Sequence, residues 1–316
     1  MKISAKRWMV LGFGLLALAG IAPAQTLTLK QDGTAVRAEI DGQLFTEYFG
    51  SGAQRPYLYP IIGPSGANLA RPYPMEKGGA EDHPHHRSFW FAHGAVNGTD
   101  FWANGDDKGR QEHLGFEDVK AEGAVGSFTA KTRWVTAAGD EQMTDVRHVR
   151  IEALPEGEKI VDFTVALTAT AGDAVFGDTK EGSFALRIGP TLSMKGEGAA
   201  GHMLSSEGIK DKKVWGTRAK WVTAFGPDEK GQEVSITIFD HPGNLRHPTW
   251  WHARDYGLFA ANPFGIHDFE KLDDKTKGDY TLAKGETLTQ RYRVWITRGE
   301  PEMAKMNAMF EAFSKQ

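Results

Sequence analysis

The chain has 316 residues, a formal net charge of −4 at pH 7, 40% hydrophobic and 25% charged residues, and no cysteine. The missing cysteines exclude disulfides, thiolate catalysis and a lipid-modified cysteine anchor. The mildly acidic balance excludes the basic footprint of a nucleic-acid-binding protein, and the composition is that of an ordinary globular protein.

The first 24 residues have the pattern of a secretory signal peptide. Three basic residues precede an apolar run over residues 8–22, which ends in Ala22-Pro23-Ala24. An uncleaved membrane anchor is the alternative, but the run is short for a bilayer span. We therefore expect cleavage after Ala24, a periplasmic or extracellular location and no membrane partner afterwards. The cleavage removes three positive charges and no acid, so the formal net charge moves from −4 to −7.

The segment from Asp82 to Gly94 has the densest group of titratable side chains. It contains Arg87, three aromatic residues and four of the eleven histidines, which are His83, His85, His86 and His93. Imidazole titrates close to neutral pH and is the commonest metal ligand, so proton transfer and metal binding are both open. If residues 85–93 are extended, His85 and His93 face away from His86. A bend at Pro84 would instead let His83 and His86 converge.

Residues 97–104 follow as a predicted turn that is rich in amide and carboxylate groups. Flat aromatic rings beside hydrogen-bonding groups suit the apolar faces of sugars. Asn97, Asp100 and Trp102 are therefore candidate substrate-binding residues.

Alternation of apolar and polar residues with period two dominates the rest of the chain. Val161, Phe163, Val165 and Leu167 share one face, as do Tyr292, Val294 and Ile296. Glycines and prolines separate roughly a dozen such segments, a layout that favours stacked antiparallel sheets over βαβ units. We predict an all-β fold, a large antiparallel β-sandwich of the supersandwich kind, with residues 25–316 forming a single domain.

Two acids in glycine-flanked loops and several arginines supply further candidates. Glu181 and Glu207 are suited to act as acid or base opposite a histidine, although solvated loop acids would look the same. Arg87, Arg187 and Arg254 are suited to orient a carboxylate or stabilise negative charge, and surface ion pairs would explain them equally well.

A second histidine group lies between residues 240 and 252. It contains His241, His247 and His252 together with Trp250 and Trp251. A zinc or iron centre built from both groups, such as His83 or His85 with His241 or His252, stays open. No other cofactor is expected. His83 and His85 form a His-x-His pair, but the glutamate that a cupin-like site has a few residues later is missing. A copper site on an N-terminal histidine is excluded because Gln25 would begin the mature chain.

One helix is predicted near the end of the chain. Met303, Met306, Phe310 and Phe313 recur at helical spacing after Pro301, which suits a first helical turn. We read this stripe as packing surface and expect the helix to cover an edge or an end of a sheet.

Several ordered motifs resemble a known bacterial family. His83-Pro-His-His-Arg-Ser-Phe-Trp-Phe-Ala-His-Gly, Phe176-Gly-Asp-Thr-Lys-Glu-Gly and the run from Arg246 to Gly265 resemble the PmoA-like family of unknown function across nearly the whole mature chain. Asn262, inside the third motif, joins the substrate-binding candidates. The resemblance implies a secreted sandwich, and this architecture is similar at the level of fold to galactose-mutarotase-like sugar epimerases, hydrolases and lyases.

The leading hypothesis is a secreted carbohydrate-active enzyme that cleaves or rearranges a glycoside, as a hydrolase or a lyase. His86 and His252 would carry protons, Glu181 or Glu207 would be the partner carboxylate, Arg87 the clamp, and Trp102 or Trp250 the sugar platform. A non-catalytic periplasmic glycan-binding protein and a metal-dependent hydrolase or oxygenase are the alternatives. The expected partner is a carbohydrate or glycoside, and the number of subunits is open.

Overall fold

The computed structural model describes residues 25–77 and 81–316. The predicted signal peptide, residues 1–24, lies outside the described residues. Within the described ranges, none of the helices is both long and apolar enough to cross a bilayer.

Strands make up most of the regular structure. The first ten are β1 (Leu27–Asp32), β2 (Ala35–Ile40), β3 (Gln43–Phe49), β4 (Tyr57–Tyr59), β5 (Phe89–His93), β6 (Arg110–Glu122), β7 (Val125–Val135), β8 (Glu141–Ala153), β9 (Lys159–Thr168) and β10 (Ala174–Phe176). The others are β11 (Gly182–Arg187), β12 (His202–Ser205), β13 (Arg218–Ala219), β14 (Trp221–Pro227), β15 (Glu233–Asp240), β16 (Thr249–Ala253), β17 (Leu258–Asn262), β18 (Tyr280–Leu282) and β19 (Thr287–Arg298). The helices are α1 (Ile266–Glu270), α2 (Met303–Phe313) and two single 3₁₀ turns (Pro155–Gly157 and Asp211–Val214).

Two large antiparallel sheets form a sandwich. One has nine strands in the order β1-β2-β3-β4-β5-β11-β17-β16-β13, and the other has eight in the order β12-β14-β15-β19-β9-β8-β7-β6. Strands β10 and β18 pair separately. The predicted all-β sandwich with a C-terminal helix is confirmed. Its cause is the period-two alternation, which gives strands such as β2 and β7 one apolar face to bury. Strands β5, β11, β16 and β17 differ, because all their residues are buried.

The core lies where the inner faces of the two sheets meet. Phe184 of β11 stacks on Tyr292 of β19, with ring centroids 4.3 Å apart, and also packs on Phe163 of β9 at 5.2 Å. Phe89 of β5 packs on Phe163 at 5.8 Å. Each such buried ring stabilises the fold by roughly 1.5–3 kcal/mol. The core therefore fixes the positions of strands β5 and β11, and with them the ends of the loops that these strands carry.

Helix α2 was predicted at the right place in the chain, but it does not cover a sheet edge. Its buried residues Met306, Phe310 and Phe313 form a separate cluster with Trp221 of β14 and Phe239 of β15. The helix therefore covers the outer face of the eight-stranded sheet. Large aromatic residues on that outer face, such as Trp221 and Phe239, supply the apolar surface on which the helix packs.

Candidate functional site

A pocket of about 420 Å³ lies on the nine-stranded sheet and gathers most of the titratable side chains predicted from the sequence. We call it the histidine pocket. Its lining residues are His83, His85, His86, Asp100, Trp102, Ala103, Lys180, Glu181, His252, Arg254 and Tyr256.

Strand register places His252 on the outer face of that sheet. His252 pairs with Ala260 of β17, Ala260 with Ala185 of β11, and Ala185 with Trp90 of β5. Residues paired across antiparallel strands point to the same side, and Phe184, the neighbour of Ala185, points into the core. The row from Trp90 to His252 therefore faces away from the core.

The segment from residue 82 to residue 88 is a bend rather than a strand, which corrects the extended interpretation. His86 N–H donates to the carbonyl of His83 at 3.0 Å, and both His83 (φ 42°) and Ser88 (φ 65°) have left-handed backbone conformations. The bend stacks the rings of His83 and His86 at 4.9 Å and places His85 edge-on to His86 at 4.4 Å. His85 and His86 thus line one pocket, which strict alternation would have prevented.

Two buried arginines hold this bend from behind. Arg71 donates to the carbonyl oxygens of Asp82 (2.7 Å) and His83 (2.9 Å). Arg55 donates to the carbonyl oxygens of His85 (2.8 Å) and Ala103 (2.7 Å), so it joins the bend to the loop after β5. Neither arginine could be selected from the sequence, because nothing near Arg55 or Arg71 distinguishes them from surface arginines.

Arg187 sets the protonation of His86. Its Nη1 lies 3.2 Å from His86 Nδ1, and its Nη2 donates to Asp82 Oδ1 at 2.7 Å. Burial lowers the pKa of Arg187 to about 10, so it stays a cation at neutral pH. A guanidinium has only donors, so His86 Nδ1 accepts and the ring carries its proton on Nε2. His86 is 1% exposed, and burial, followed by the nearby His85 and Arg187, holds its pKa well below the usual range.

Two further histidines of the pocket wall, His85 and His252, are also neutral at physiological pH. Burial, followed by the charge of Arg55, lowers the pKa of His85 to about 4. Burial, followed by the charge of Arg254, lowers the pKa of His252 to about 3. Over the described ranges, Nδ1 of His252 is buried and has no hydrogen-bond partner. As neutral imidazoles, both rings have one nitrogen that carries no proton.

The loop before β11 brings an anion and a cation to the pocket. Glu181 Oε1 lies 3.3 Å from Lys180 Nζ, and both side chains are partly exposed. Lys180 N–H donates to Asp268 of α1 at 2.9 Å, and the Asn262 side chain donates to the carbonyl of Thr179 at 2.9 Å. Asn262 thus positions the loop instead of facing a ligand directly.

Asp100 and Trp102 belong to a turn that forms part of the pocket wall. Asp100 Oδ1 accepts the backbone N–H groups of Trp102 (2.8 Å) and Ala103 (3.0 Å). The ring of Trp102 packs on Trp90 at 5.0 Å and is 1% exposed. This packing does not leave the open sugar platform that the sequence suggested. Tyr256, which is not among the site residues predicted from the sequence, stacks on His83 at 4.8 Å and is a partly exposed aromatic ring of the wall.

Several predicted residues lie away from the pocket in the first half of the chain. His93 is fully buried, and its Nε2 bonds to the carbonyl of Gly177 at 2.8 Å. Arg87 lies over the ring of Tyr57. Asn97 accepts the N–H of Val175 at 2.8 Å and supports a turn.

The rest of the second histidine group also lies elsewhere. His247 Nδ1 bonds to buried Asp240 at 2.7 Å, and His241 packs against Phe313 of α2. Trp251 is a core residue, and Trp250 bonds to Glu270 at 3.1 Å.

Glu207 is exposed in the turn after β12, where it bonds to Ser206. Thus the structure brings His83, His85 and His86 together with His252, but it does not bring His241, His247 or Glu207 to them. In the part of the chain that the structure describes, no group of three His, Cys, Asp or Glu side chains has the arrangement of a metal site.

Comparisons with known proteins give a family and distant similarities of structure. No curated protein matches the chain. Among solved structures, it is similar to galactose 1-epimerase from Lactobacillus acidophilus NCFM, with 8% identity and a TM-score of 0.37, covering 87% of this chain and 99% of that one. It is also similar to a GalM/aldose epimerase homologue from C. elegans, with 7% identity and a TM-score of 0.29, covering 88% and 100%.

The resemblance to the PmoA-like family is not shown by these comparisons. The family model of DUF6807, a family of unknown function, matches residues 35–311. The chain therefore belongs to the DUF6807 family.

Proposed function

We propose that this protein is an enzyme that cleaves or rearranges a carbohydrate or glycoside by proton transfer in the histidine pocket. The observation that carries the proposal is the convergence of three neutral imidazoles, His85, His86 and His252, with the carboxylate of Glu181 around one cavity. Buried, uncharged histidines beside a carboxylate are the equipment of general acid–base catalysis.

The hydrogen bonds divide the proton-transfer roles. His86 accepts from Arg187 at Nδ1 and so presents its Nε2–H as a hydrogen-bond donor to a substrate oxygen, because a neutral imidazole N–H is too weak an acid to give up its proton. His252 is uncharged at neutral pH, and we assign it the acceptor role because only an uncharged ring can accept a proton. Glu181 is the partner carboxylate, and the cations of Lys180 and Arg254 in the same wall stabilise negative charge that develops on the substrate.

The lining chemistry supports a polyhydroxylated substrate. Imidazoles, carboxylates, an ammonium, a guanidinium and a phenol converge in a volume that falls within the range of about 300–1,000 Å³ found for small-molecule sites. Such a density of donors and acceptors suits a ligand with many hydroxyl groups more than an apolar one.

The test compares Glu181, which lines the histidine pocket, with Glu207, which is exposed outside it. The purified protein is incubated with a glycan library, with and without chelator, and the products are separated by chromatography, which resolves isomers of equal mass, and read by mass spectrometry. We expect a product from the wild type, a loss of about 10²–10⁴-fold in turnover for Glu181→Gln, and unchanged turnover for the control Glu207→Gln. Saturable binding without any product, or equal behaviour of the two variants, contradicts the proposal.

A further inference from the structure

A second, larger cavity opens beside the histidine pocket. Its volume is about 1010 Å³, and His83 and Tyr256 belong to the walls of both cavities. A ligand in the histidine pocket that is longer than one small unit would therefore continue past these two rings into the larger space.

The deep wall of this second cavity is prearranged. Arg71 and Arg187 are both buried, and both bind the carboxylate of Asp82. The ring of Tyr256 lies over the Arg187 guanidinium at 4.5 Å. Because the two arginines share one carboxylate, the wall offers fixed polar edges and an aromatic surface with one positive charge in excess, and the one excess acid of the cavity's rim offsets it.

The charges of the lining are balanced. Four cationic residues and four acidic residues contribute to it, and the exposed rim carries Lys77 and Lys195 together with Glu76, Glu197 and Glu229. Pro72, Ile188 and Pro190 add apolar surface. A ligand with strong charge of either sign would meet as many repelling as attracting groups. A neutral chain with hydroxyl groups and apolar ring faces fits this mixture.

We propose that the second cavity binds the additional units of a neutral oligosaccharide whose reacting unit lies in the histidine pocket. The inference rests on the proposed function for the identity of the reacting unit. It adds that the substrate is a chain of several sugars and that the larger cavity recognises its length.

The experiment measures how binding depends on chain length. Neutral oligosaccharides of one to six units, from the cello-, xylo- and malto-series, and an acidic oligogalacturonide series are titrated into the protein by calorimetry. We expect the affinity for one neutral series to rise by about tenfold or more between one and four units, and the acidic series to bind more weakly. A flat length dependence, tighter binding of the acidic series, or no binding by any series overturns the inference.

A matched pair of variants locates the effect. Lys195→Trp puts a bulky ring on the exposed rim of the second cavity, and Lys284→Trp puts the same ring on an exposed turn outside both cavities. Lys195→Trp should remove most of the gain in affinity with length and leave binding of the shortest ligand unchanged. Lys284→Trp should change neither. Equal effects of the two variants, or equal losses for short and long ligands, contradict the inference.

Binding does not need bond cleavage, so the two proposals fail separately. Length-dependent binding without any product would remove the proposed catalysis and leave the second cavity as a binding site. Product formation at the same rate from short and long chains would remove the inference and leave the proposed function.

Discussion

At the scale of single residues, Arg187 decides which nitrogen of His86 holds the proton. The 3.2 Å contact makes Nδ1 an acceptor, and Asp82 on the other side holds the guanidinium in place. His86 alone, read from the sequence, carries no information on its tautomer. The partner lies 101 positions along the chain, and only folding brings the two together.

Replacing Arg187 by Met should therefore change the tautomer and the pKa of His86. Without the donor and its positive charge, the ring can place its proton on either nitrogen, and its pKa should rise. Nitrogen NMR of the imidazole should show the Nε2–H form in the wild type and a mixture in Arg187→Met, with turnover lower by about 10²-fold.

The control is Arg218→Met, since Arg218 is exposed and lies over Trp250, outside the pocket lining. It should leave both the spectrum and the turnover unchanged. An unchanged tautomer in a folded Arg187→Met protein would show that Arg187 does not position His86.

At the scale of elements, the period-two strands and helix α2 could be predicted because their patterns are local. For residues 82–88 the sequence left two alternatives, because Pro84 predicted a bend, whereas alternation predicted a strand that would have sent His85 and His86 to opposite sides. The structure has the bend. Two backbone positions with positive φ, His83 and Ser88, end that alternation. Non-glycine residues adopt this conformation rarely, so no residue type marks it in advance.

Helix α2 supports the sandwich from outside, far from the proposed chemistry. Phe310 is 5% exposed and packs among Trp221, Phe239 and the other members of its cluster. Phe310→Ala should lower the free energy of unfolding by about 3–5 kcal/mol in a denaturant titration, and the folded variant should keep its turnover. Exposed Glu311→Ala on the same helix should change the stability little. Similar stabilities for the two variants would mean that α2 does not depend on this cluster.

At the scale of the whole molecule, buried neutral histidines make the fold sensitive to acid. Burial lowers the pKa of His93 to about 4 from an ordinary value of 6.5. Between these two values the unfolded chain binds a proton that the folded chain does not, so stability is full above pH 6.5 and falls as the pH drops towards 4. His85 and His252 add to the same trend.

In the variant His93→Gln, the unfolded chain should no longer bind the proton that His93 takes up on unfolding. The dependence of unfolding free energy on pH between 6.5 and 4 should become shallower by up to about 1.4 kcal/mol per pH unit, because glutamine does not titrate. His148→Gln changes an exposed histidine and should leave the slope as it is. If the slope of His93→Gln equals that of the wild type, His93 is not a source of the acid sensitivity.

The sequence by itself determined the all-β class, the alternating strands and the C-terminal helix, because each of these depends on spacing within one short segment. It also singled out His83, His85, His86 and His252 by local density of imidazole. Only the tertiary structure decided that these four meet while His241 and His247 lie under α2, since strand register and one bend set their positions. Arg55, Arg71 and Arg187 reach the histidines from distant points in the chain. Burial then lowers the histidine pKa values, and burial is a property of the folded molecule alone.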